Sequence, residues 1–551
     1  MKPSRRQLFA VMASCGVSSA VFQRAVVAQA KDEPITEEMV KQAEWVSGLK
    51  LKDADRKRLV STLRGLQSGY ETLRKTPLPN SVPPAFTFTP AGQAPFGMHP
   101  RGTVTAPAGD VKKPAREEDL AFLPVTALGQ LLRTKQITST ELTKLYLARL
   151  KKYDPALKCV VTLTEDLAMK QAAAADKELA AGKARGPLHG IPWGAKDLIA
   201  YPGYKTTWGA KPFQDQQFDT TAAVAKKLDE AGAVLVAKLS LGALAMNDVW
   251  FGGMTRNPWD VKQGSSGSSA GSASAVAAGL VGFAIGSETL GSIVSPCTRC
   301  GATGLRPTFG RVSRAGCMTL CWTMDKIGPI TRSIEDAALV FGAIHGADPA
   351  DAASVDMPFD WPAKRELKSL KVGYVAKGKD RPDLAVLKTL GVELVEIELP
   401  TDARSFSLMS ILDVECAAAF DEITRQGITE GLNSWPNTFR AGQFVPAVEY
   451  VRANRVRTLL IQEMAKVFEQ VDLYVAGADL VLTNYTGHPT VVLPYSGKKL
   501  ADGAAPPAIT FTGRLYGESE LMAVAHAFQV ATGTHLRRPN MAKVIEDGKK
   551  E

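Results

Sequence analysis

The sequence has no long apolar run and no block of like charge. Apolar residues make up 45% of its 551 residues, but no strongly apolar stretch reaches the roughly 20 residues that a membrane helix needs. Lys and Arg outnumber Asp and Glu by 66 to 56, and they are scattered along the chain. The net charge of +10 therefore indicates the solvated surface of a globular protein rather than a nucleic-acid or lipid partner.

Histidine, the usual base of a catalytic serine, is scarce. The chain has six: His99, His189, His345, His488, His526 and His535. The sequence places none of them in a recognisable Ser-His-Asp order, although it leaves open which residues are neighbours in the folded protein. The glycine-rich loops also lack the lysine that Walker-type loops carry directly after their glycines, which disfavours a nucleotide site.

Residues 1–30 have the organisation of an export signal. The twin arginine Arg5-Arg6 precedes a weakly apolar stretch, and Ala28-Gln29-Ala30 fits a small-x-small cleavage site. Gln23-Arg24 interrupts the apolar stretch before it reaches the length of a membrane anchor. We therefore expect twin-arginine export, cleavage near Ala30, and a periplasmic or secreted protein with no stable membrane insertion after cleavage.

Three further segments follow the signal. Residues 31–76 predict a helical hairpin, because apolar residues such as Leu59, Leu63 and Leu66 repeat at helical spacing. Residues 77–117 are rich in Pro, Gly, Ala and Thr, which is typical of an extended connector. Residues 118–551 alternate β-rich runs with helical patterns, which predicts an α/β domain with a sheet covered on both faces. The β-rich runs are GIPWGAKDLI, AVLVAKLS, LKVGYVA, VELVEIEL, TVVLPYS and AITFTGR.

The stretch from Gly264 to Ser292 is rich in serine and glycine. From Ala273 onward it predicts a helix and then a short buried strand, so it is not a flexible linker. A match to the G-x-S-x-G nucleophile elbow also fails, because a turn-rich loop precedes it where the elbow needs a strand. Small hydroxyls at the start of a buried helix suit nucleophilic catalysis if a base is near. Lys196 is a candidate, since an amine at the end of an apolar run can be desolvated toward its neutral form.

Three motifs together resemble the amidase signature family of Ser-Ser-Lys hydrolases. They are GIPWGAKD, GSSAGSASAVAAG and GSETLGSIVSPCTRCGATGLRPTFGRVS, in this order and spacing. The resemblance runs from about Asp119 to the C-terminus, and the helical hairpin resembles the N-terminal additions of some members. It implies a single large mixed β-sheet covered by helices on both faces, hydrolysis of a carboxamide bond, and neither cofactor nor metal.

The resemblance also assigns roles to residues. The family's base corresponds to Lys196, its bridging serine, held on a cis peptide, to Ser268, and its nucleophile to Ser292. Ser269 is expected to be less important, so Ser269→Ala should leave appreciable activity. The oxyanion hole would consist of the backbone N–H groups of Thr289, Leu290, Gly291 and Ser292.

The chain departs from the family pattern at three positions near these residues. Leu290 and Ala270 stand where the family commonly has glycine, and Glu288 stands where aspartate is frequent. Leu290 brings a side chain beside the oxyanion loop, which could reshape the acyl pocket. Glu288 is interpreted as a structural change.

Cysteines and aromatic residues near the motifs leave other interpretations open. The Cys297-x-x-Cys300 and Cys317-x-x-x-Cys321 spacings resemble zinc sites, and a disulfide among these four is also conceivable. Four aromatic residues either line a hydrophobic acyl pocket or simply pack in the core. They are Trp250, Phe251, Trp259 and Trp322.

Two classes of function remain. The first is an exported hydrolase that cleaves a small carboxamide, or an ester, anilide or carbamate, without a nucleic acid and with a homodimer as a possible assembly. The second is an amidotransferase A-type subunit, which shares the fold and triad but releases ammonia from glutamine for a partner.

Overall fold

A computed structural model describes residues 34–77, 86, 101–107, 109–376, 381–400, 404–475 and 479–550. The predicted export signal and part of the predicted connector lie outside the described residues. In the part of the chain that is described, no helix combines the length and the hydropathy that a membrane crossing requires.

The α-helices are numbered here in chain order. They are α1 Glu37–Ser47, α2 Asp53–Lys75, α3 Glu117–Ala121, α4 Val125–Arg133, α5 Ser139–Leu157, α6 Glu165–Ala180, α7 Ala223–Glu230, α8 Ala270–Ala277, α9 Val294–Cys300, α10 Ile334–Ile344, α11 Pro382–Thr389, α12 Arg404–Ser407, α13 Met409–Ala419, α14 Asp421–Arg425, α15 Trp435–Gly442, α16 Ala447–Gln470, α17 Leu480–Thr486, α18 Glu518–Thr532 and α19 Met541–Gly548.

The strands are numbered in the same way. They are β1 Val160–Leu163, β2 Pro192–Lys196, β3 Val234–Leu239, β4 Val249–Trp250, β5 Gly253–Met254, β6 Arg256–Asn257, β7 Asp260–Gly264, β8 Phe283–Glu288, β9 Thr303–Arg306, β10 Lys326–Thr331, β11 Lys371–Tyr374, β12 Glu393–Glu396, β13 Leu473–Val475, β14 Thr490–Pro494 and β15 Ala508–Gly513. Each of the six β-rich runs predicted from the sequence contains one of these strands.

Eleven strands form one mixed sheet in the order β1-β3-β2-β8-β10-β9-β14-β15-β13-β11-β12. Strand β2 lies between β3 and β8 and is parallel to both, whereas β10 is antiparallel to β8. Successive residues of β8 enter different apolar clusters: Phe283 and Ile285 belong to one and Ala284 to the other. Both faces of the sheet are therefore covered, and the predicted fold class is confirmed.

The two predicted N-terminal helices are present as α1 and α2. Their apolar side chains, including Val40, Leu59 and Leu63, form a small cluster with Ala441 of α15. Arg440 of α15 also pairs with Asp55 of α2 at 3.0 Å. The hairpin thus packs against the rest of the chain, with α15 among its neighbours.

Candidate active site

The predicted base and both predicted serines lie on neighbouring elements near the carboxyl ends of β2 and β8. Lys196 is the last residue of β2, Ser268 lies in the loop before α8, and Ser292 lies in the turn between β8 and α9. Because β2 and β8 are adjacent and parallel, their carboxyl ends meet at the same edge of the sheet. Ser269 N–H also donates to the Ser292 carbonyl oxygen (3.0 Å), which joins the two serine loops.

Lys196 is fully buried. The oxygen atoms around its amine belong to hydroxyl and carbonyl groups rather than to carboxylates. Its Nζ lies 2.8 Å from Ser268 Oγ, 3.0 Å from Ser269 Oγ and 2.9 Å from Ser287 Oγ. It also lies 3.2 Å from the Ser287 carbonyl oxygen. These contacts fix the amine against the Ser268 hydroxyl.

Burial has a direct effect on the protonation of this amine. Loss of solvation lowers the pKa of Lys196 to about 7, although the carboxylates of Asp325 and Glu288 act in the opposite direction. A substantial fraction of the Lys196 side chain is therefore neutral near pH 7, in the form that can accept a proton.

The Gly267–Ser268 peptide is cis, as the family resemblance predicts. Glycine is required before this bond, because a Cβ built on Gly267 would lie 1.8 Å from the Asn247 carbonyl oxygen. Because of that close approach, the loop that contains Ser268 packs directly against the segment that contains Asn247.

The turn that carries Ser292 is held at its end by Glu288. One carboxylate oxygen of Glu288 accepts the backbone N–H groups of Ile293 (2.8 Å) and Val294 (2.9 Å). The other oxygen contacts Arg306 Nη1 and Asn484 Nδ2, each at 2.8 Å. The carboxylate is buried, and despite this burial its cationic neighbour Arg306 lowers the pKa to about 2. Glu288 therefore has the structural role that the sequence suggested.

Thr289, at the start of the turn, is held by two residues of the neighbouring chain segment. Its hydroxyl donates to Asp325 Oδ1 (2.5 Å), and its carbonyl oxygen lies 3.4 Å from Lys326 Nζ. Gly291, later in the turn, has a φ of +96°, a conformation that glycine adopts readily and other residues rarely adopt.

Ser292 and the N–H groups around it are available for a ligand. Ser292 is half-buried, and within the described part of the chain its hydroxyl has no hydrogen-bond partner, Ser268 included. The N–H groups of Leu290, Gly291 and Ser292 likewise have no acceptor among the described residues. One hydroxyl and three backbone N–H groups that lack a partner among the described residues thus lie in the same turn.

A cavity of about 20 Å³, enough for roughly one water molecule, lies beside this turn, with Ser287 and Thr289 in its wall. Its apolar lining comes from Leu198, Ala245, Cys317, Met318, Leu320 and Ile327. Leu290 does not line it, and neither do the four aromatic residues suggested for an acyl pocket. Their positions explain this: Trp250 packs edge-on against Phe251, Trp259 Nε1 donates to the Cys300 carbonyl oxygen, and Trp322 is half exposed. None of the four therefore lines this small cavity, and their place in an acyl pocket stays a prediction.

The cysteines named in the sequence analysis are free thiols. Cys297, Cys300 and Cys321 are buried, Cys317 is half-buried, and no disulfide links them. Among the described residues, no group of three or more His, Cys, Asp or Glu side chains is placed to hold a metal ion.

Sequence reasoning missed three residues that contact the site, Ser287, Asp325 and Lys326, and it named Ser269 without its contact to Lys196. Ser287 and Ser269 hold Lys196, while Asp325 and Lys326 hold Thr289. Ser287 is visible as the residue before Glu288 in GSETLGS, but only the position of β8 beside β2 reveals its contact with Lys196. The contacts of Asp325 and Lys326 depend on the register between β8 and β10, in which Lys326 lies opposite Glu288.

Comparison with known proteins agrees with this architecture. A family model described as Amidase matches residues 141–496. The chain belongs to the amidase family. The A subunit of glutamyl-tRNA(Gln) amidotransferase from Moorella thermoacetica is 32% identical, over 77% of this chain and 99% of the relative. The protein of the same name from Geobacter metallireducens is 33% identical, over 76% and 99%.

Solved structures of this family share the fold. The native peptide amidase of Stenotrophomonas maltophilia superposes with a TM-score of 0.65 and 29% identity, covering 76% of this chain and 98% of the peptide amidase. As a member of the amidase family, this protein is an amidase-type enzyme that acts on amide C–N bonds. The α1–α2 hairpin precedes the matched region and is an N-terminal extension.

Proposed function

We propose that this protein hydrolyses a carboxamide through a Ser-Ser-Lys triad in which Lys196 is the base, Ser268 the proton relay and Ser292 the nucleophile. One observation carries the proposal. The Lys196 amine is fully buried, lies 2.8 Å from Ser268 Oγ, and has a pKa lowered to about 7. A buried amine that is readily neutral and rests on a hydroxyl is suited to general-base catalysis.

In the first step, Ser292 Oγ attacks the carbonyl carbon of the amide. The Ser292 proton passes to Ser268 Oγ while the Ser268 proton passes to Lys196 Nζ, which becomes an ammonium. The carbonyl oxygen becomes an oxyanion, and the backbone N–H groups from Thr289 to Ser292 stabilise it. The unused N–H groups of Leu290, Gly291 and Ser292 support this assignment.

In the second step, the tetrahedral intermediate collapses and the C–N bond breaks. The Lys196 ammonium returns its proton through Ser268 to the leaving nitrogen, which departs as a neutral amine or ammonia. Water then attacks the acyl-Ser292 ester while the same relay removes its proton; the bond between the acyl carbon and Ser292 Oγ breaks, the relay returns the proton to Ser292 Oγ, and the carboxylic acid leaves. Esters, anilides and carbamates present the same electrophilic carbonyl and are candidate substrates of the same site.

The alternative function is that of an amidotransferase A-type subunit. The 32–33% sequence identity to relatives with that name supports this alternative. Such a protein would release ammonia from glutamine for a partner in the compartment of translation. The twin-arginine sequence at residues 1–30 favours the hydrolase, because we propose that it exports the protein to the periplasm or beyond, away from such a partner.

Labelling with a fluorophosphonate tests the nucleophile and its relay. We expect the reagent to modify Ser292, and Ser292→Ala to lose labelling and to lose activity by about five orders of magnitude or more. Ser268→Ala should lose both nearly as completely. Ser265→Ala is the matched control, since Ser265 occupies the same place in the preceding Gly-Ser-Ser, where its hydroxyl donates to the Ser266 carbonyl oxygen. Equal losses in the Ser265 and Ser268 variants would contradict the proposed relay.

A reconstitution experiment separates the two functions. The mature chain alone, treated with a chelator and without tRNA or ATP, should release acid and amine from small amides, as read by mass spectrometry. Activity that appears only when ATP and a partner protein are supplied would instead establish the amidotransferase function.

A further inference from the structure

A second fully buried lysine lies beneath the Ser292 turn and has no part in the proposed triad. Lys326 is the first residue of β10 and lies opposite Glu288 of β8. Its Nζ contacts two carbonyl oxygens, those of Met324 and of Thr289, the latter at 3.4 Å. The Thr289 carbonyl belongs to the turn whose N–H groups face the reaction.

We propose that Lys326, in its charged form, is a positioning residue that orients and polarises the Thr289–Leu290 peptide for oxyanion stabilisation. This inference rests on the proposed function, because it assumes that an oxyanion forms at this turn.

The orientation follows from peptide geometry. The cis peptides among the described residues are Gly267–Ser268 and Trp361–Pro362, so the Thr289–Leu290 peptide is trans. In a trans peptide the C=O and the N–H point in opposite directions. A donor that holds the Thr289 carbonyl oxygen therefore turns the Leu290 N–H away from Lys326. That N–H has no acceptor among the described residues.

The charge of Lys326 adds a second effect. A cation on the carbonyl oxygen draws electron density from the amide and makes the N–H of the same peptide a stronger donor, as in hydrogen-bond chains. The N–H that is strengthened is the one on Leu290. A neutral residue could hold the carbonyl oxygen but would polarise the peptide less.

Four charged groups near Lys326 influence whether its amine is protonated. Glu288 of β8 and Asp325, the residue before β10, favour its charged form, whereas Arg306 of β9 and Arg457 of α16 disfavour it. Burial is the largest influence and lowers the pKa of Lys326 to about 7. The two lysines of the site thus have opposite requirements: Lys196 must be neutral to accept a proton, and Lys326 must be charged to polarise the peptide. A plot of kcat/KM against pH should therefore rise and then fall on the alkaline side.

Lys326→Met tests the proposal. We expect kcat to fall about ten- to a hundredfold, because one oxyanion donor is weakened rather than removed, and KM to change little. The affinity for a boronic acid, whose adduct with Ser292 is a tetrahedral anion, should fall by the same factor. The affinity for the carboxylic acid product should stay unchanged.

Lys227→Met is the matched control. Lys227 is also largely buried and also donates to carbonyl oxygens, those of Ile344, His345 and Gly346 at the end of α10. Its variant should keep kcat. Lys326→Gln retains an N–H donor without a charge, so it should show a smaller loss of kcat and no alkaline fall. It also carries the test if the Met variant does not fold.

Three results would overturn the proposal: a folded Lys326→Met enzyme with wild-type kcat, an equal loss of affinity for boronic acid and product, or a wild-type profile with no alkaline fall. Fluorophosphonate labelling of the wild-type enzyme separates this failure from that of the proposed function. If Ser292 is labelled and a result above is found, only the role of Lys326 is wrong. If Ser292 is not labelled, the triad itself is wrong.

Discussion

Two buried lysines on adjacent strands, Lys196 of β2 and Lys238 of β3, differ in their partners. Lys238 forms an ion pair with Asp197 Oδ1 at 2.8 Å. Lys196, in contrast, forms no ion pair with any residue that the structure describes, and its neighbours are hydroxyl and carbonyl oxygens. An ion pair holds a buried amine in its charged form, whereas burial among neutral dipoles favours the free base. Of the two lysines, Lys196 is the one whose surroundings suit a base, because burial without a paired carboxylate lowers its pKa.

The first prediction follows from the pKa of Lys196. Because the active form is neutral, kcat/KM should rise as the pH increases toward about 7, below the alkaline fall that the proposed role of Lys326 predicts. Lys196→Arg should be inactive at every pH tested, since a guanidinium does not lose its proton in this range. The measurement is the pH dependence of amide hydrolysis, with Lys227→Arg as the control that retains activity. An active Lys196→Arg enzyme would mean that the amine is only structural.

At this scale the sequence predicts part of the site. The burial of Lys196 follows from the apolar run that precedes it, and the family motifs indicate Ser268 and Ser292. The contacts of Ser287 with Lys196 and of Lys326 with Thr289 could not be predicted, since they depend on which strands are neighbours and in which register.

Among the elements, the turn between β8 and α9 depends most on a single side chain. Glu288 ends β8, accepts two N–H groups at the start of α9 and pairs with Arg306 of β9. It therefore ties one helix and two strands together through one buried carboxylate. Loss of one member of a buried pair leaves the other charge uncompensated, which is strongly destabilising.

The second prediction concerns stability at acid pH. The pKa of Glu288 is about 2 in the folded protein and about 4.5 in the unfolded chain, so its contribution is complete above pH 4.5. That contribution is lost as the pH falls from 4.5 toward 2. Glu288→Gln should lower the free energy of unfolding by about 3 kcal/mol at pH 7 and by much less at pH 3, as measured by urea denaturation.

Glu335→Gln provides the control for this experiment. Burial raises the pKa of Glu335, so its ionisation opposes folding and its replacement should not destabilise the protein at pH 7. Similar losses for both variants at pH 7, or a loss for Glu288→Gln that does not depend on pH, would contradict the role given to Glu288.

The N-terminal hairpin shows how far prediction from the sequence extends for a whole element. Helical periodicity indicated both helices, and the structure has them as α1 and α2. Its attachment to α15 was not predictable, because the pair between Asp55 and Arg440 and the hydrogen bond between Thr62 and Asn437 join residues almost four hundred positions apart. Nothing in the local pattern of either segment specifies the other.

At the scale of the whole molecule, the proposed export leads to the third prediction. Replacement of both Arg5 and Arg6 by lysine should trap the precursor inside the cell, because the twin arginine is the feature that the export pathway reads. Cell fractionation and N-terminal sequencing measure this, and the exported wild-type chain should begin near Lys31. Arg24→Lys, a matched change outside the pair, should be exported normally. Exported protein that retains Met1 would indicate a membrane anchor instead.

Lys196, Ser268 and Ser292 all come from one continuous piece of the chain, residues 196–292, although the sheet around them extends to β15 near residue 513. The relay is therefore compact in the sequence, but the residues that hold its Ser292 turn, such as Arg306 and Asn484, come from later in the chain. Much of the cavity wall comes from a later segment, Arg314 to Ile327. Asp325 and Lys326, which hold Thr289 of the Ser292 turn, belong to that same segment, so a mutation there alters the cavity wall and the support of the reacting groups together.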